Sequence, residues 1–176
     1  FIPGGSSSGS AVAVAKGLVS FSLGTDTAGS GRVPASFNNL LGYKPTRGKV
    51  SNRGIIPACR TLDCVSVFGL QVSDIAEVLS VLEKWDPLDP FSIKVEEHTS
   101  CSHSETPKVA LLSDDLLDFF GDSIAQKAYQ KSVDVLTKSG LDLHPVDLSP
   151  FLEAADLLYS GPWVAERYLA TSPLIT

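Results

Sequence analysis

Two turns rich in glycine and serine are the stretches of this sequence best suited to carry out chemistry. The first opens GGSSSGSAVAVAKG (4–17) and the second lies within LGTDTAGSGRVPAS (23–36). Ser6 and Ser30 are 24 residues apart. A helix of about ten residues and a strand of about five would return the chain beside its start, so both hydroxyls are expected to face one pocket. A serine becomes a nucleophile when a neighbouring base takes its proton, and the pairing therefore indicates covalent catalysis at serine.

Small residues in the second turn leave consecutive backbone N–H groups uncovered. Converging amides of this kind form an anion-binding nest or an oxyanion hole, which stabilises the negative oxygen of a tetrahedral intermediate. The Asp26 carboxylate precedes them and is expected to hold the turn by accepting backbone N–H groups. Arg32 is expected to brace the same loop. The predicted amides are those of Thr27, Ala28, Gly29 and Ser30.

Plainer interpretations of the first turn are also open. Gly/Ser runs are typical of flexible linkers, and Ser6 by itself is compatible with an ordinary turn residue. The run continues directly into the small apolar residues 11–15, which favours a loop that enters a core over a flexible tether. Ser7 is expected to cap the helix that follows.

Hydrophobic periodicity divides the chain into elements that would position these turns. Residues 1–86 hold the Gly/Ser turns, residues 87–107 are polar and proline-rich as in a connecting loop, and residues 108–176 are typical of regular α/β structure. The order strand, helix, strand, helix predicts an α/β layer with a right-handed crossover. The predicted elements are strands at 19–26, 108–114 and 141–148, and helices at 123–140, capped by Gly140, and at 150–170, interrupted at Gly161-Pro162.

Composition and charge exclude several classes of protein. The 176 residues are 43% hydrophobic and 19% charged, with a net charge of −6 and no cluster of Lys and Arg. A globular domain is expected, with neither nucleic acid nor an anionic membrane surface as partner, whereas a small anionic substrate is compatible with local cations. No apolar run approaches the roughly 20 residues that span a bilayer.

Cysteine and histidine content indicates the compartment and argues against a metal. The odd number of cysteines, Cys59, Cys64 and Cys101, predicts reduced thiols and a cytoplasmic location. HTSCSH (98–103) groups two histidines and a cysteine, but a structural zinc site uses four well-spaced ligands. Neither a metal nor a cofactor is therefore predicted. Because the chain begins with Phe1 and contains no Met, we interpret it as the middle of a longer protein.

Taken together, the two turns resemble the signature of the amidase signature enzymes. GGSSSGSAVAVAKG and GTDTAGSGRVPAS match it in residue types and spacing. The resemblance implies an α/β amidase signature fold, a mixed twisted β-sheet covered by helices on both faces, with residues 1–176 forming part of a single amidase domain. It also implies amide hydrolysis by a Ser–cis-Ser–Lys triad, in which Ser30 is the nucleophile, Ser6 is the bridging serine in a cis peptide, and residues 27–30 supply the oxyanion-hole amides.

The lysine of that triad lies upstream of the first turn in the family. Neither Lys16 nor Lys44 matches its position: Lys16 is expected to face solvent and Lys44 to have a structural role. A lysine acts as a base near neutral pH only when burial or a nearby cation lowers its pKa. The chain is therefore expected to contain two of the three triad members and to be inactive by itself.

Two further stretches, PACRTLDCVS (57–66) and LYSGPWVAERY (158–168), resemble the allophanate hydrolase branch of the family. The resemblance implies that Tyr159 and Arg167 contact the substrate, and their spacing of eight residues, about two helical turns, would place them on one side of a helix. Allophanate is a small planar anion, and a guanidinium binds a carboxylate through two parallel hydrogen bonds. The implied reaction converts allophanate to ammonia and carbon dioxide in urea degradation.

Other functions stay open at this point. The chain is also compatible with the amidase subunit of a tRNA-dependent amidotransferase, with another amidase, or with a non-catalytic interaction domain that retains a degenerate amidase core. Tyr159 and Arg167 would then be a packed aromatic and a surface ion-pair partner. The resemblance further implies a homodimer and a fusion or association with a biotin-dependent urea carboxylase.

Overall fold

The computed structural model describes residues 2–94 and 107–175. Contacts divide these residues into two compact units, the first comprising 2–94 together with 159–175 and the second comprising 107–158. The sequence interpretation placed 108–176 in one block, whereas the structure groups the segment from Tyr159 onwards with the first unit. That both units belong to a single domain stays a prediction.

The predicted helices and strands of the second half of the chain are confirmed, including the break at Gly161-Pro162. In chain order the elements are α1 (Ser8–Ala15), β1 (Ser22–Thr25), α2 (Arg32–Phe37), β2 (Leu41–Tyr43), β3 (Val65–Gly69), α3 (Val72–Leu82), β4 (Lys108–Leu112), a 3-10 turn (Asp114–Leu116), α4 (Ser123–Lys138), β5 (Asp142–Val146), α5 (Ser149–Ser160) and α6 (Trp163–Ile175).

In the first unit, β3 is the central strand of a three-stranded antiparallel sheet in the order β1-β3-β2. All of β3 is buried, as expected for a nearly continuous apolar run between two neighbouring strands. The prediction of a buried strand over 19–26 was wrong in part, because β1 is shorter and the Leu23 side chain is 41% exposed. Within the described residues β1 is an edge strand, which has a neighbour on one side only.

Small apolar residues pack α1 against this sheet. Ala11 and Val14 are buried together with Ala35 of α2 and Phe68 of β3, and these four form a hydrophobic cluster in the core of the unit. Short side chains on α1 allow the helix to approach β3 closely, so that the aromatic ring of Phe68 fills the remaining space. This packing fixes the position of the first Gly/Ser turn, which leads directly into α1.

Three serine hydroxyls join α1 to β1. Ser7 donates to the carbonyl of Thr25 at 3.1 Å, Ser10 donates to the carbonyl of Leu23 at 2.8 Å, and Ser22 donates to the carbonyl of Ser10 at 2.8 Å. Ser7 makes no capping hydrogen bond to α1, so its predicted role as a helix cap was wrong. Its hydroxyl reaches the strand carbonyl instead, since α1 and β1 lie side by side.

The second unit contains a parallel strand pair, β4 and β5, which α4 connects. Asp122 caps α4 by accepting two backbone N–H groups of its first turn, at 2.9 and 3.0 Å. Gly140 follows the helix with φ +76°, the left-handed conformation that glycine adopts at helix ends. The predicted strand–helix–strand order and the predicted Gly140 position are therefore both confirmed.

Two of the three cysteines belong to the described residues. Cys59 and Cys64 are buried and free, and burial raises the pKa of both thiols. Cys101 and the HTSCSH segment (98–103) lie outside the described residues.

No cluster of histidine, cysteine or acidic side chains within 2–94 and 107–175 is arranged to hold a metal ion. Over the same ranges, no helix has the length and apolar character that crossing a membrane requires.

Candidate active site

The structure brings the two Gly/Ser turns together. The peptide bond between Gly5 and Ser6 is cis, as the resemblance implied. The backbone N–H of Ser7 donates to the carbonyl of Ser30 at 3.2 Å, so Ser6 lies beside the second turn. Ser6 is exposed and Ser30 is half-buried. Among the described residues neither hydroxyl has a hydrogen-bond partner, which leaves both available to a substrate or to a further catalytic group.

Close backbone approaches at two glycines hold this arrangement. Gly4 has φ +75°, and a Cβ atom there would lie 2.9 Å from the Cα of Pro34 in α2. Gly31 follows the second serine, and a Cβ atom there would lie 2.6 Å from the Cβ of Ser66 in β3. Side chains at either position would push the turns away from the scaffold. The glycines therefore let both turns rest directly on regular secondary structure.

Asp26 organises the second turn from a fully buried position. Its carboxylate accepts the backbone N–H of Gly29 at 2.6 Å and that of Arg32 at 3.1 Å. The Arg32 guanidinium donates to both carboxylate oxygens, at 2.9 and 3.0 Å. Burial opposes ionisation, but the hydrogen bonds from Arg32 and Gly29 outweigh it and lower the pKa of Asp26 to about 2.

One member of the predicted oxyanion hole is engaged elsewhere. The Gly29 N–H donates to Asp26, so it is directed into the turn rather than towards a substrate. This corrects the predicted set of four amides. The N–H groups of Thr27, Ala28 and Ser30 have no partner within the described part of the chain, and these three are the donors left for an oxyanion.

Replacing Asp26 by asparagine is expected to remove a pH-dependent part of the folding free energy. Because the folded pKa of about 2 lies below the ordinary value of 3.8, the charged carboxylate stabilises the fold above about pH 4. That contribution, about 2 kcal/mol, is lost as pH falls through the folded pKa. The free energy of unfolding, measured by chemical denaturation from pH 7 to pH 2, should fall in the wild type by about 2 kcal/mol more than in Asp26→Asn. Parallel curves of unfolding free energy against pH for the two proteins would contradict the prediction.

A loop formed by residues 58–63 is attached to the second turn through Asp63. This carboxylate is buried and accepts the Thr27 hydroxyl at 2.5 Å. It also accepts the backbone N–H groups of Ala58 and Cys59, at 3.0 and 3.1 Å. Asp63 belongs to the stretch 57–66 that resembles the allophanate hydrolase branch, but the sequence predicts no contact for it. The only local feature that could have indicated a structural role for Asp63 is its position after a short polar turn and before a buried strand.

The structure also brings Tyr159 and Arg167 together. The guanidinium carbon of Arg167 lies 5.3 Å from the centre of the Tyr159 ring, a distance suited to a cation–π contact. The predicted break at Gly161-Pro162 lies between them, because α5 ends at Ser160 and α6 begins at Trp163. The two residues therefore meet across the break and not along one side of a single helix. No ion pair formed by the described residues includes Arg167, so its N–H donors are available to an anion.

Glu166, the neighbour of Arg167, makes a polar contact that was not predicted from the sequence. Its carboxylate accepts the backbone N–H and the hydroxyl of Thr61, both at 2.7 Å. Burial opposes ionisation of Glu166, but the two bonds from Thr61 outweigh it and lower its pKa. Because Thr61 belongs to the loop 58–63, this contact links the start of α6 to the loop that also holds Thr27.

The two lysines considered as bases are not part of this site. Lys16 is exposed at the end of α1. The Lys44 ammonium donates to the carbonyl of Pro45 at 3.0 Å, which is a local backbone contact. Neither has a hydrogen bond to Ser6 or Ser30 in the described residues.

Comparisons with known proteins agree with this geometry. A family model described as Amidase matches residues 1–174. The chain is 43% identical to urea amidolyase of Lachancea kluyveri over 171 residues, covering 97% of this chain and 9% of that protein. It is 45% identical to a solved variant of Kluyveromyces lactis allophanate hydrolase, with a TM-score of 0.93, covering 99% of this chain and 28% of that chain.

A more distant relative has a different activity in its name. A mitochondrial glutamyl-tRNA(Gln) amidotransferase subunit of Candida albicans is 35% identical over 161 residues, covering 90% of this chain and 36% of that protein. The chain thus spans about a tenth of the urea amidolyase and about a third of the amidotransferase subunit.

Proposed function

We propose, from the premise that the chain belongs to the Amidase family, that it supplies the nucleophile and the substrate-binding arginine of an amide hydrolase acting on allophanate. Membership of the family bears out the predicted fold class. The observation that carries the choice of substrate is the Arg167 guanidinium, which is stacked on Tyr159 and has no carboxylate partner among the described residues. The higher identity to urea amidolyase and allophanate hydrolase than to the amidotransferase subunit supports the same choice.

The first half of the proposed reaction forms an acyl-enzyme. Ser30 Oγ attacks the carbonyl carbon of the terminal carbamoyl group, and the C–O bond forms as the carbonyl becomes an oxyanion. The amides of Thr27, Ala28 and Ser30 stabilise that oxyanion. When the tetrahedral intermediate collapses, the C–N bond breaks and ammonia leaves. Ser30 then carries the remaining N-carboxylated carbamoyl group as an ester.

Ser6 carries the proton in this proposal. Its hydroxyl accepts the proton of Ser30 as the C–O bond forms, passes its own proton to a base, and later returns a proton to the leaving nitrogen. The base is neither Lys16 nor Lys44, since their contacts lie elsewhere. A lysine supplied from outside residues 2–94 and 107–175 fits the Ser–cis-Ser–Lys arrangement that the resemblance implies.

Water completes the reaction in the second half. It attacks the acyl carbon, the Ser30 ester bond breaks, and the hydroxyl recovers its proton along the same path. The released dicarboxylated amine loses carbon dioxide without help from this site. Arg167 binds the substrate carboxylate through parallel hydrogen bonds, so its contribution is orientation and binding rather than activation of the nucleophile.

Partners and compartment belong to the same proposal. Buried, free Cys59 and Cys64 support a reducing compartment such as the cytoplasm. A homodimer and a fusion or association with a biotin-dependent urea carboxylase stay predictions from the resemblance.

Ammonia release by the full-length protein tests the proposal. We expect ammonia from allophanate and none from glutamine, because only allophanate offers Arg167 a carboxylate that a single N–H group separates from the scissile carbonyl. An ammonium electrode or a coupled glutamate dehydrogenase assay measures both. Release from glutamine alone would favour an amidotransferase subunit, and release from neither substrate would favour a non-catalytic domain.

A further inference from the structure

Within the described ranges, Glu166 and Thr61 form a contact of the candidate site that joins residues 105 positions apart in the chain. Both oxygens of the Glu166 carboxylate are used, one by the backbone N–H of Thr61 and the other by its hydroxyl, each at 2.7 Å. Hydrogen bonds to an ionised group are stronger than neutral ones, and a pair of them fixes orientation as well as distance. Neither residue is exposed, so competition from water is reduced.

The Thr61 end of this contact is itself held from several sides. The Arg47 guanidinium donates to the Thr61 carbonyl. Two residues further on, Asp63 receives the Thr27 hydroxyl from the turn that contains Ser30. The loop 58–63 is therefore attached to the Ser30 turn at Asp63 and to α6 at Thr61. Hydrogen bonds at these two residues therefore connect the turn to the helix through the backbone of the loop.

At the other end, Glu166 is covalently adjacent to Arg167. An arginine side chain has several rotatable bonds. Contacts made by the guanidinium therefore fix its position only when the backbone that carries the side chain is also fixed. The stacked Tyr159 ring constrains the guanidinium, and the carboxylate of Glu166 constrains the backbone of α6. The two constraints together fix Arg167 relative to Tyr159 and to the loop 58–63.

We propose that Glu166 and Thr61 are positioning residues that hold Arg167 at a fixed distance from Ser30, and so select substrates in which a single N–H group separates the carboxylate from the scissile carbonyl. This inference rests on the proposed function, because it assigns Arg167 to the substrate carboxylate. It adds two residues that do not touch the substrate and that act through α6. A contact of purely structural value would instead affect folding and all steps alike.

The test compares Thr61→Val with Thr61→Ser in the full-length protein. Valine keeps the shape of threonine but lacks the hydroxyl that Glu166 accepts, whereas serine keeps that donor. For Thr61→Val we expect KM for allophanate to rise about tenfold while kcat stays within about twofold, since loss of a hydrogen bond to a charged group loosens binding without altering the nucleophile. Thr61→Ser should have the wild-type KM, because serine keeps the hydroxyl donor. Glu166→Ala, where it folds, should raise KM at least as much as Thr61→Val.

A second readout separates positioning from general damage. A small neutral fluorophosphonate labels an activated serine without using a carboxylate site, so its rate of reaction with Ser30 should be unchanged in Thr61→Val. Glu153→Gln is the control for Glu166→Ala. It also removes one negative charge, but at an exposed position of α5 that is distant from Thr61 in the sequence. An unchanged KM in Thr61→Val, or an equal loss of labelling and turnover, would overturn the inference. No allophanate turnover by the wild-type protein would instead overturn the proposed function.

Discussion

Replacing Ser30 by alanine is expected to lower kcat for allophanate in the full-length protein by at least about 10⁴-fold. The reason is that the variant has no atom to form the acyl-enzyme, while the oxyanion amides and Arg167 stay in place. KM should change much less, because the groups proposed to bind the substrate are not altered. Steady-state ammonia release, with mass spectrometry to detect the acylated peptide in the wild type, measures the effect.

Ser36→Ala is the matched control for this substitution. Ser36 lies on the exposed side of the short helix α2, six residues beyond Ser30, and its removal should leave kcat and KM at wild-type values. Turnover of Ser30→Ala within about tenfold of wild type would remove Ser30 as the nucleophile, since nucleophile deletions in serine hydrolases cost far more than that.

The proximity of Ser6 and Ser30 was predictable because it depends on local structure. A short helix of small residues and a short strand return the chain to its starting point, and both elements can be recognised from residue type alone. The role of Asp26 was predictable for the same reason, because an aspartate at the start of a turn accepts the N–H groups that follow it.

The choice between neighbouring amides was not predictable from the sequence. Four consecutive N–H groups look equivalent in TAGS, and the backbone torsions decide which of them turns inwards. Gly29 has φ +121° and donates to Asp26, which removes it from the predicted oxyanion hole. Similarly, the eight-residue spacing would place Tyr159 and Arg167 on one side of a helix, but the residues meet across the predicted break at Gly161-Pro162.

Contacts between distant parts of the chain gave no sequence signal at all. Glu166 and Thr61 are separated by 105 residues. They lie in the stretches 158–168 and 57–66, which the resemblance singled out, but residue types there do not indicate that the two side chains meet, so only the folded structure reveals their pairing. The same limit applies to the order β1-β3-β2, in which β3 separates two strands that precede it in the chain. Periodicity identifies elements, whereas their neighbours depend on long-range packing.

Exchanging Arg167 for glutamine is expected to raise KM for allophanate by about 100-fold, with kcat reduced much less. A guanidinium that donates two charge-assisted hydrogen bonds to a carboxylate contributes more to binding than a neutral amide, which offers one weaker donor pair. Arg167→Lys should fall between the two, because an ammonium keeps the charge but lacks the planar pair of donors and stacks less well on Tyr159. Initial rates of ammonia release across a wide range of allophanate concentration separate KM from kcat.

Arg53→Gln is the matched control for Arg167→Gln, since Arg53 is an exposed arginine whose only ion pair among the described residues is with Asp86. Surface ion pairs contribute little to stability, so this variant should keep wild-type kinetics. If Arg167→Gln and Arg53→Gln gave the same kinetics, Arg167 would be a structural residue and allophanate would lose its proposed binding group. If kcat fell in Arg167→Gln while KM stayed unchanged, the arginine would act on the chemical step. Such a pattern indicates the loss of an interaction that is made only in the transition state.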